Sequence, residues 1–495
     1  MHILMNAGFG LTPVAVALTM LGWFVLVLAV SFIASRGMRK ETEFFNGGRK
    51  TPWWIIAIAM IGAPMSGVTF VSVPGMVGIG DTAMSYMQMV FGFLVGYLFI
   101  AFVLTPVFFR KNLVSIYQYL EDRLGTAPHK TGAWFFFISK LLGAAVRMFL
   151  VCITLQLMMF GPLGIPFIFN VIICMLIVLA YTFRGGMKSV LWTDTLKTVC
   201  MIVSIVLTIV FIARDLGLGA SDTVRTIRDS SMSKIFFFSD PNHPKFFWKQ
   251  FFAGAFTVIA MTGLDQDLMQ RTLSSRNAKE SRKNLIVSGI LQVPVVFLFL
   301  CLGVLLYIYA GQHGISQSGD LLFPAVATGG TLPTAVGVLF VLGLVSCAFS
   351  AGGSALTALT TSFTADIIGT EGRSDESIGS IRKTVHLTLT VLMAAAIYIF
   401  YILNTQSTID AVYKLASYTY GPILGMFAFG LCTKYEVRGK LVPLVAVLSP
   451  VICYIIQAHS EQWFGGYKFG YELLLLNALL TFVGMCFLIH KNNSQ

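Results

Sequence analysis

Residues 343–366 read GLVSCAFSAGGSALTALTTSFTAD, and the reading of this stretch decides what the rest of the chain must be. It is apolar and long enough to cross a bilayer, for which about 20 residues suffice. Yet Ser346, Ser350, Ser354, Thr357, Thr361 and Thr364 recur at steps of three and four, so they share one helical face. The stretch is therefore read as a membrane helix with a polar seam. Hydroxyls gain nothing from facing hydrocarbon, and the seam must turn toward a neighbouring helix or a solute path. Both readings stand. Gly352, Gly353 and Ala355 would let backbones approach while Ser and Thr bond back to their own helix, and the same hydroxyls suit an ion or a polar solute.

Working outward, the 495 residues are 56% hydrophobic, 13% aromatic and only 11% charged, with a mean hydropathy of +0.80. Soluble globular domains do not carry this composition. Apolar runs occur at 12–35, 52–78, 84–109, 132–160, 164–183, 189–213, 249–270, 285–310, 333–366, 384–404, 408–433, 441–458 and 472–490. The expected class is an all-α polytopic membrane protein of about thirteen transmembrane helices, embedded directly in the lipid bilayer. The run at 12–35 lacks a basic leader and a small-residue cleavage site, so it is expected to remain as a span.

Lys and Arg favour cytoplasmic loops. They gather in alternate loops: Arg36, Arg39, Lys40, Arg49 and Lys50; Arg110, Lys111 and Arg123; Arg184 and Lys188. The alternation continues with Arg271, Arg276, Lys279, Arg282 and Lys283, then Arg373, Arg382 and Lys383, then Lys434, Arg438 and Lys440. This places the N-terminus outside and the C-terminus in the cytoplasm. Topology also accounts for the net charge of +12, and nucleic-acid binding is not expected. The eight Cys are scattered without CxxC spacing, Gly47-Gly48 and Gly185-Gly186 lack a phosphate-loop pattern, and the seven His form no HExxH, which argues against a metal site or an enzyme.

Several polar residues fall inside the apolar runs. The second run carries Gly62, Pro64 and Gly67 at its middle, where Pro would open the helix and free carbonyls suited to a hard cation, a plain kink being the alternative. Gln88 lies in the third run, Lys140 and Arg147 share a face of the fourth, and Asp194 lies inside the sixth. A central Arg costs about 2.5–3.5 kcal/mol on insertion scales, so Arg147 needs an anionic solute or an internal salt bridge. Asp194 is a cation ligand, a proton carrier, or a partner of Lys197. Asp265, Gln266 and Asp267 close the seventh run near the cytoplasmic surface, where solvation is one reading of them.

The segments EFFNGGRKTPWW, FRGGMKSVLWTDTLK, TGLDQDLMQRTLSSRNAKES and TSFTADI, taken in this order, resemble the sodium:solute symporter family over nearly the whole chain. The resemblance implies a leucine-transporter-like five-plus-five inverted repeat in a single transporter domain, 1–495. Helix 12–35 would precede the first repeat, 52–213; the second repeat, 249–433, would be followed by two helices at 441–490. It implies sodium-coupled import of a small organic solute by a monomer in the plasma (inner) membrane. The principal sodium site would use carbonyls of Gly62, Met65 and Cys347 and the Ser350 hydroxyl, with Ala351 where the family has a second hydroxyl. A second sodium site would use Asp194, Ser350 and Ser354, with Gly353 at its remaining serine position. Ser66, Thr69, Gln88 and Arg147 would bind the solute, which on the sialic acid branch is a hydroxylated carboxylate; a neutral sugar and proton coupling are the alternatives.

Overall fold

The computed structural model describes residues 11–35, 51–111, 113, 115–370, 372–403 and 408–490, with the side chains of 184–186 and 408–411 outside that description. The basic cluster from Arg36 to Lys50, the Gly47-Gly48 turn and the Arg184 side chain therefore lie outside the described residues. Nine helices among those described are long and apolar enough to cross a membrane, or ten when the bent pair Trp53–Gly62 and Gly67–Met76 counts as one span. The remaining expected spans correspond to less regular elements, so the thirteen are not reached by length and apolarity alone. They are the short apolar helices Phe167–Phe183 and Leu473–Cys486, and the helices Phe247–Val258 and Gln266–Leu273, which are separated by a π-turn and Asp265. Among the described residues the β-structure is confined to the isolated bridges Thr51 to Ser275 and Val437 to Ile489.

The first helix, α1 (Pro13–Ser35), shows why these segments suit lipid. Its buried side, Val16, Met20, Trp23 and Val27, packs inward, while Val14, Leu18, Leu21, Val25 and Phe32 point out and are equally apolar. A helix apolar on every side is stable only where its outer face also meets hydrocarbon. The two expected spans at 164–183 and 189–213 are assigned as one helix, α2 (Phe167–Asp215), of 49 residues. Ser31 of α1 donates to the Tyr181 carbonyl at 3.2 Å and accepts from the Ser189 hydroxyl at 2.6 Å, so both parts of α2 lie against the same neighbour.

The seam becomes α3 (Thr334–Ser362), running into a π-turn at Phe363–Ile368. All six seam hydroxyls are buried, as is nearly the whole of 343–366. Most of them serve packing: Thr357 donates to Gly353 O at 2.9 Å, Thr361 to Thr357 O at 2.9 Å, Ser346 to Gly343 O at 2.9 Å, and Ser354 to Ala351 O at 3.2 Å. Such back-bonding satisfies a hydroxyl without a partner helix. Among the described residues, Ser350 alone of the seam donates its hydroxyl to another element, namely to the Asp194 carboxylate of α2. Gly353 is glycine for space: a Cβ there would sit 2.0 Å from the Tyr181 hydroxyl, which itself donates to the Phe349 carbonyl.

Candidate functional site

The second run breaks where its proline and glycines suggest. Trp53–Gly62 and Gly67–Met76 meet at 52° across Ala63, Pro64, Met65 and Ser66. Pro64 has no N–H to continue the first half, and Ser66, with extended backbone, starts the second. Locally the Met65 N–H turns back to Gly62 O at 3.0 Å, and the Ser66 N–H donates to the Thr69 hydroxyl at 3.3 Å. The break opens into a cavity lined by Met65, Ser66 and Thr69 on one side and by Arg147, Ala351 and Ser354 on others, with Tyr86, Tyr97, Tyr413 and Tyr420 supplying aromatic walls. Arg147 makes no hydrogen bond or ion pair to any described residue, so the internal salt bridge considered for it is not formed; its guanidinium stands half-buried in the cavity wall. Tyr86 and Tyr413 bond hydroxyl to hydroxyl at 2.8 Å beside it.

Lys140, Asp265 and Asp267 also line the cavity, as members of a buried charge cluster. Lys140 donates to both Asp265 oxygens at 3.1 Å and lies 2.8 Å from Asp267 Oδ2. Arg271 donates to Asp267 at 2.9 Å and 3.2 Å and, through its other nitrogen, to Asp194. Asp265 caps the helix Gln266–Leu273, accepting from the Asp267 and Leu268 N–H groups at 2.9 and 3.2 Å, and it also receives the Tyr420 hydroxyl. Every carboxylate in this cluster meets a cation or several donors, the condition for burying charge without prohibitive cost.

The structure thus brings Ser66, Thr69 and Arg147 together around one cavity and places Met65 and Ser354 on its wall. Gly62, Cys347, Ser350 and Asp194 do not line it; all four are buried, with Asp194 joined to Ser350. Gln88 is elsewhere. Its amide donates to Lys245 O at 3.0 Å and accepts from the Phe237 N–H at 2.9 Å, so a residue expected to bind solute instead ties down the segment before Phe247.

Three further expectations are corrected. Asp265, Gln266 and Asp267 are not solvated but 2%, 0% and 3% exposed. Arg271, counted among the basic loop residues, is 1% exposed and pairs with Asp194, so the bridge to that carboxylate, given to Lys197 in one of its readings, is made by Arg271. Arg382, likewise counted in a loop, is buried and donates to Phe183 O at 3.2 Å. The signal that pointed to Arg271 was available: an acid four residues earlier at Asp267, with Asp265 two residues before that, is an ion-paired helical turn rather than a loop.

Comparison with known proteins accords with this architecture. The family model described as sodium:solute symporter family matches residues 44–446. The sodium/sialic acid symporter SiaT of Proteus mirabilis is 24% identical over 86% of this chain and 88% of its own length. The sodium/sialic acid symporter NanT of Aliivibrio fischeri is 26% identical over 86% of this chain and 85% of its own. Among solved structures, a substrate-bound, outward-open Na+-coupled sialic acid symporter superposes with a TM-score of 0.81 over 96% of this chain and 97% of that one, at 19% identity. A nucleobase-cation-symport-1 transporter in a closed conformation gives a TM-score of 0.57 over 89% of this chain and 92% of that one, at 11% identity. These two likenesses establish a shared, leucine-transporter-like helical fold.

Proposed function

The chain belongs to the sodium:solute symporter family, a family of sodium-coupled transporters, and from that premise we propose that its solute is a hydroxylated carboxylate such as sialic acid. The observation that carries this reading is Arg147, a guanidinium in a membrane cavity with no protein carboxylate paired to it among the described residues. Such a group is retained at membrane depth when an anion supplies the missing partner, and its planar fork matches a carboxylate with two parallel hydrogen bonds. Ser66 and Thr69 offer hydroxyls to the rest of the solute, and Tyr86, Tyr97, Tyr413 and Tyr420 give it apolar faces to lie against. Two curated relatives are sodium/sialic acid symporters, which supports the same substrate class.

In this reading the coupling ions travel between the broken helix and the seam, past Gly62, Met65, Cys347 and Ser350 and past Asp194 and Ser354. The breaks at Ala63–Ser66 and at Leu264–Asp265 fall in the first helices of the two segments 52–213 and 249–433, which supports an inverted pair of five-helix repeats. The chain would work as a monomer in the plasma (inner) membrane with its N-terminus outside.

The test is uptake into proteoliposomes of N-acetylneuraminate, neutral sugars and amino acids, with sodium and proton gradients imposed separately. The expected result is sodium-driven uptake of the acidic sugar. Arg147→Ala should raise its half-saturation by roughly ten- to a hundredfold, the worth of one lost charge-assisted interaction of about 1.5–3 kcal/mol. A neutral sugar carried best, with half-saturation unchanged in Arg147→Ala, would refute the acidic-solute reading.

A further inference from the structure

The principal cation position drawn by the family resemblance is a poor fit for a sodium ion in this chain. Position 351 is alanine, so one hydroxyl is absent, and Ser350, whose hydrogen goes to Asp194, is left as the side-chain oxygen of that position. A hard cation needs several oxygens. A different cation is already close by. Lys197 is wholly buried, and its Nζ has no hydrogen-bond partner among the described residues.

The neighbours of Lys197 on α2 touch both elements of that position. Thr198, the next residue of α2, packs on the end of the first half of the broken helix: its hydroxyl donates to Ile58 O at 3.1 Å, and a Cβ on Gly62 would fall 2.1 Å from that oxygen. Asp194, one turn earlier on α2, receives the Ser350 hydroxyl, and Cys347 is one turn earlier on the seam. Lys197 therefore belongs to the stretch of α2 that packs against both the first half of the broken helix and the seam. The groups that interact electrostatically with its ammonium are Asp194, Cys347, Arg271 and Asp267.

The charge balance agrees. Asp194, Asp265 and Asp267 are buried with Lys140 and Arg271, which leaves the cluster one positive charge short. Lys197 is the buried cation that closes the deficit. Without it, the same pocket would need a mobile cation in order to be neutral.

We propose that the Lys197 ammonium takes the place of a sodium ion at the principal site, so that this chain moves one sodium fewer per solute than the site would otherwise bind. The inference rests on the reading that the cleft between the broken helix and the seam is the ion path. A lysine ammonium is compact, carries three donors and bears the charge of an alkali cation, but is tethered and cannot cross with the solute. It would hold the broken helix against the seam as a bound ion does, without ion release.

Two readouts test this on the purified full chain. One is the rise in melting temperature with added sodium chloride over choline chloride, without solute; the other is the ratio of radioactive sodium to N-acetylneuraminate taken up by proteoliposomes. Lys197→Gln and Lys197→Met, each with and without Ala351→Ser, should show a larger sodium-dependent melting shift than the parent. Their sodium-to-solute ratio should be higher by one ion, with the increase greatest when Ser restores the hydroxyl. Equal melting shifts and equal ratios in parent and variants would overturn the proposal. If no protein carries N-acetylneuraminate under a sodium gradient, the substrate reading fails, while the sodium-dependent melting shift still decides the role of Lys197. A Lys197 variant that does not fold leaves the parent with Ala351→Ser, whose melting shift should stay at the parent value because the ammonium still fills the site; a new sodium response there would overturn the proposal.

Discussion

The helices Trp53–Met76 and Phe247–Leu273 are interrupted by opposite means. Trp53–Met76 breaks at Pro64, and what the break exposes is neutral: backbone groups, the Ser66 and Thr69 hydroxyls, and the cavity. Phe247–Leu273 passes through a π-turn at Ile259–Gly263 and breaks at Asp265, where the freed groups are taken up by protein. The Leu264 carbonyl accepts from the Tyr117 hydroxyl at 2.8 Å, Gln266 Oε1 accepts from the Ile116 N–H at 2.9 Å, and the acids are paired with Lys140 and Arg271. A neutral break can rearrange around a ligand at the cost of a few ordinary hydrogen bonds, whereas moving any member of the charged break strands its partner in low dielectric. The first is thus suited to follow ions and solute, and the second to serve as frame.

The largest effect is therefore expected at the frame. Arg271→Met leaves Asp194 and Asp267 without their shared cation, and breaking a buried ion pair from one side costs about 3–5 kcal/mol. The variant should lose most of its folded, monodisperse fraction in detergent and melt far below the parent. A parent-like melting temperature would remove the distinction between the two breaks.

A smaller and different effect is expected at the neutral break. Pro64→Ala restores an N–H that can bond back toward Met60 and lets the helix continue. Its melting temperature should match or exceed the parent's while transport falls, by about tenfold for one backbone group withdrawn from the site at roughly 1.4 kcal/mol. Paired melting and uptake measurements sharpen the comparison, because a structural proline would move both in the same direction.

How much of this the sequence carried depends on what kind of signal each residue gives. The seam's period, the Pro64 break and the membrane class were legible because they are local: spacing and hydropathy act within one helix. Partners were not. Arg271 is 77 residues from Asp194, and Lys140 is 125 from Asp265. A hydropathy run locates a residue along the chain but not the helix it faces, so Arg271 and Asp265 looked like loop charges. The partners of Gln88 were hidden for the same reason, since its amide bonds to a segment some 150 residues away in the chain. Gly353 was legible as a small residue that lets a neighbour approach and as a missing serine; that the neighbour is the Tyr181 hydroxyl of α2 was not.

The smallest effect is expected where the two broken helices are joined. Asp81 follows the second half of the neutral one, Lys245 precedes Phe247 at the start of the charged one, and their side chains pair at 2.7 Å, with His243 at 3.7 Å. The Asp81 side chain is 69% exposed, so water and salt screen the pair. The hydrogen bond from Lys245 holds the Asp81 carboxyl below its usual range. A carboxyl lowered in the folded state contributes stability that is present in full above its unfolded value and is lost as pH falls through the lowered one. Asp81→Asn should therefore cost about 0.2–1 kcal/mol at neutral pH and low salt, and close to nothing in strong acid or at high salt. Gln88 holds the same segment by uncharged bonds to Phe237 N–H and Lys245 O, and these persist in the variant. Melting curves of parent and Asp81→Asn across pH and ionic strength measure the term. A loss rivalling that of Arg271→Met would mean that the junction, and not the buried cluster, fixes the frame.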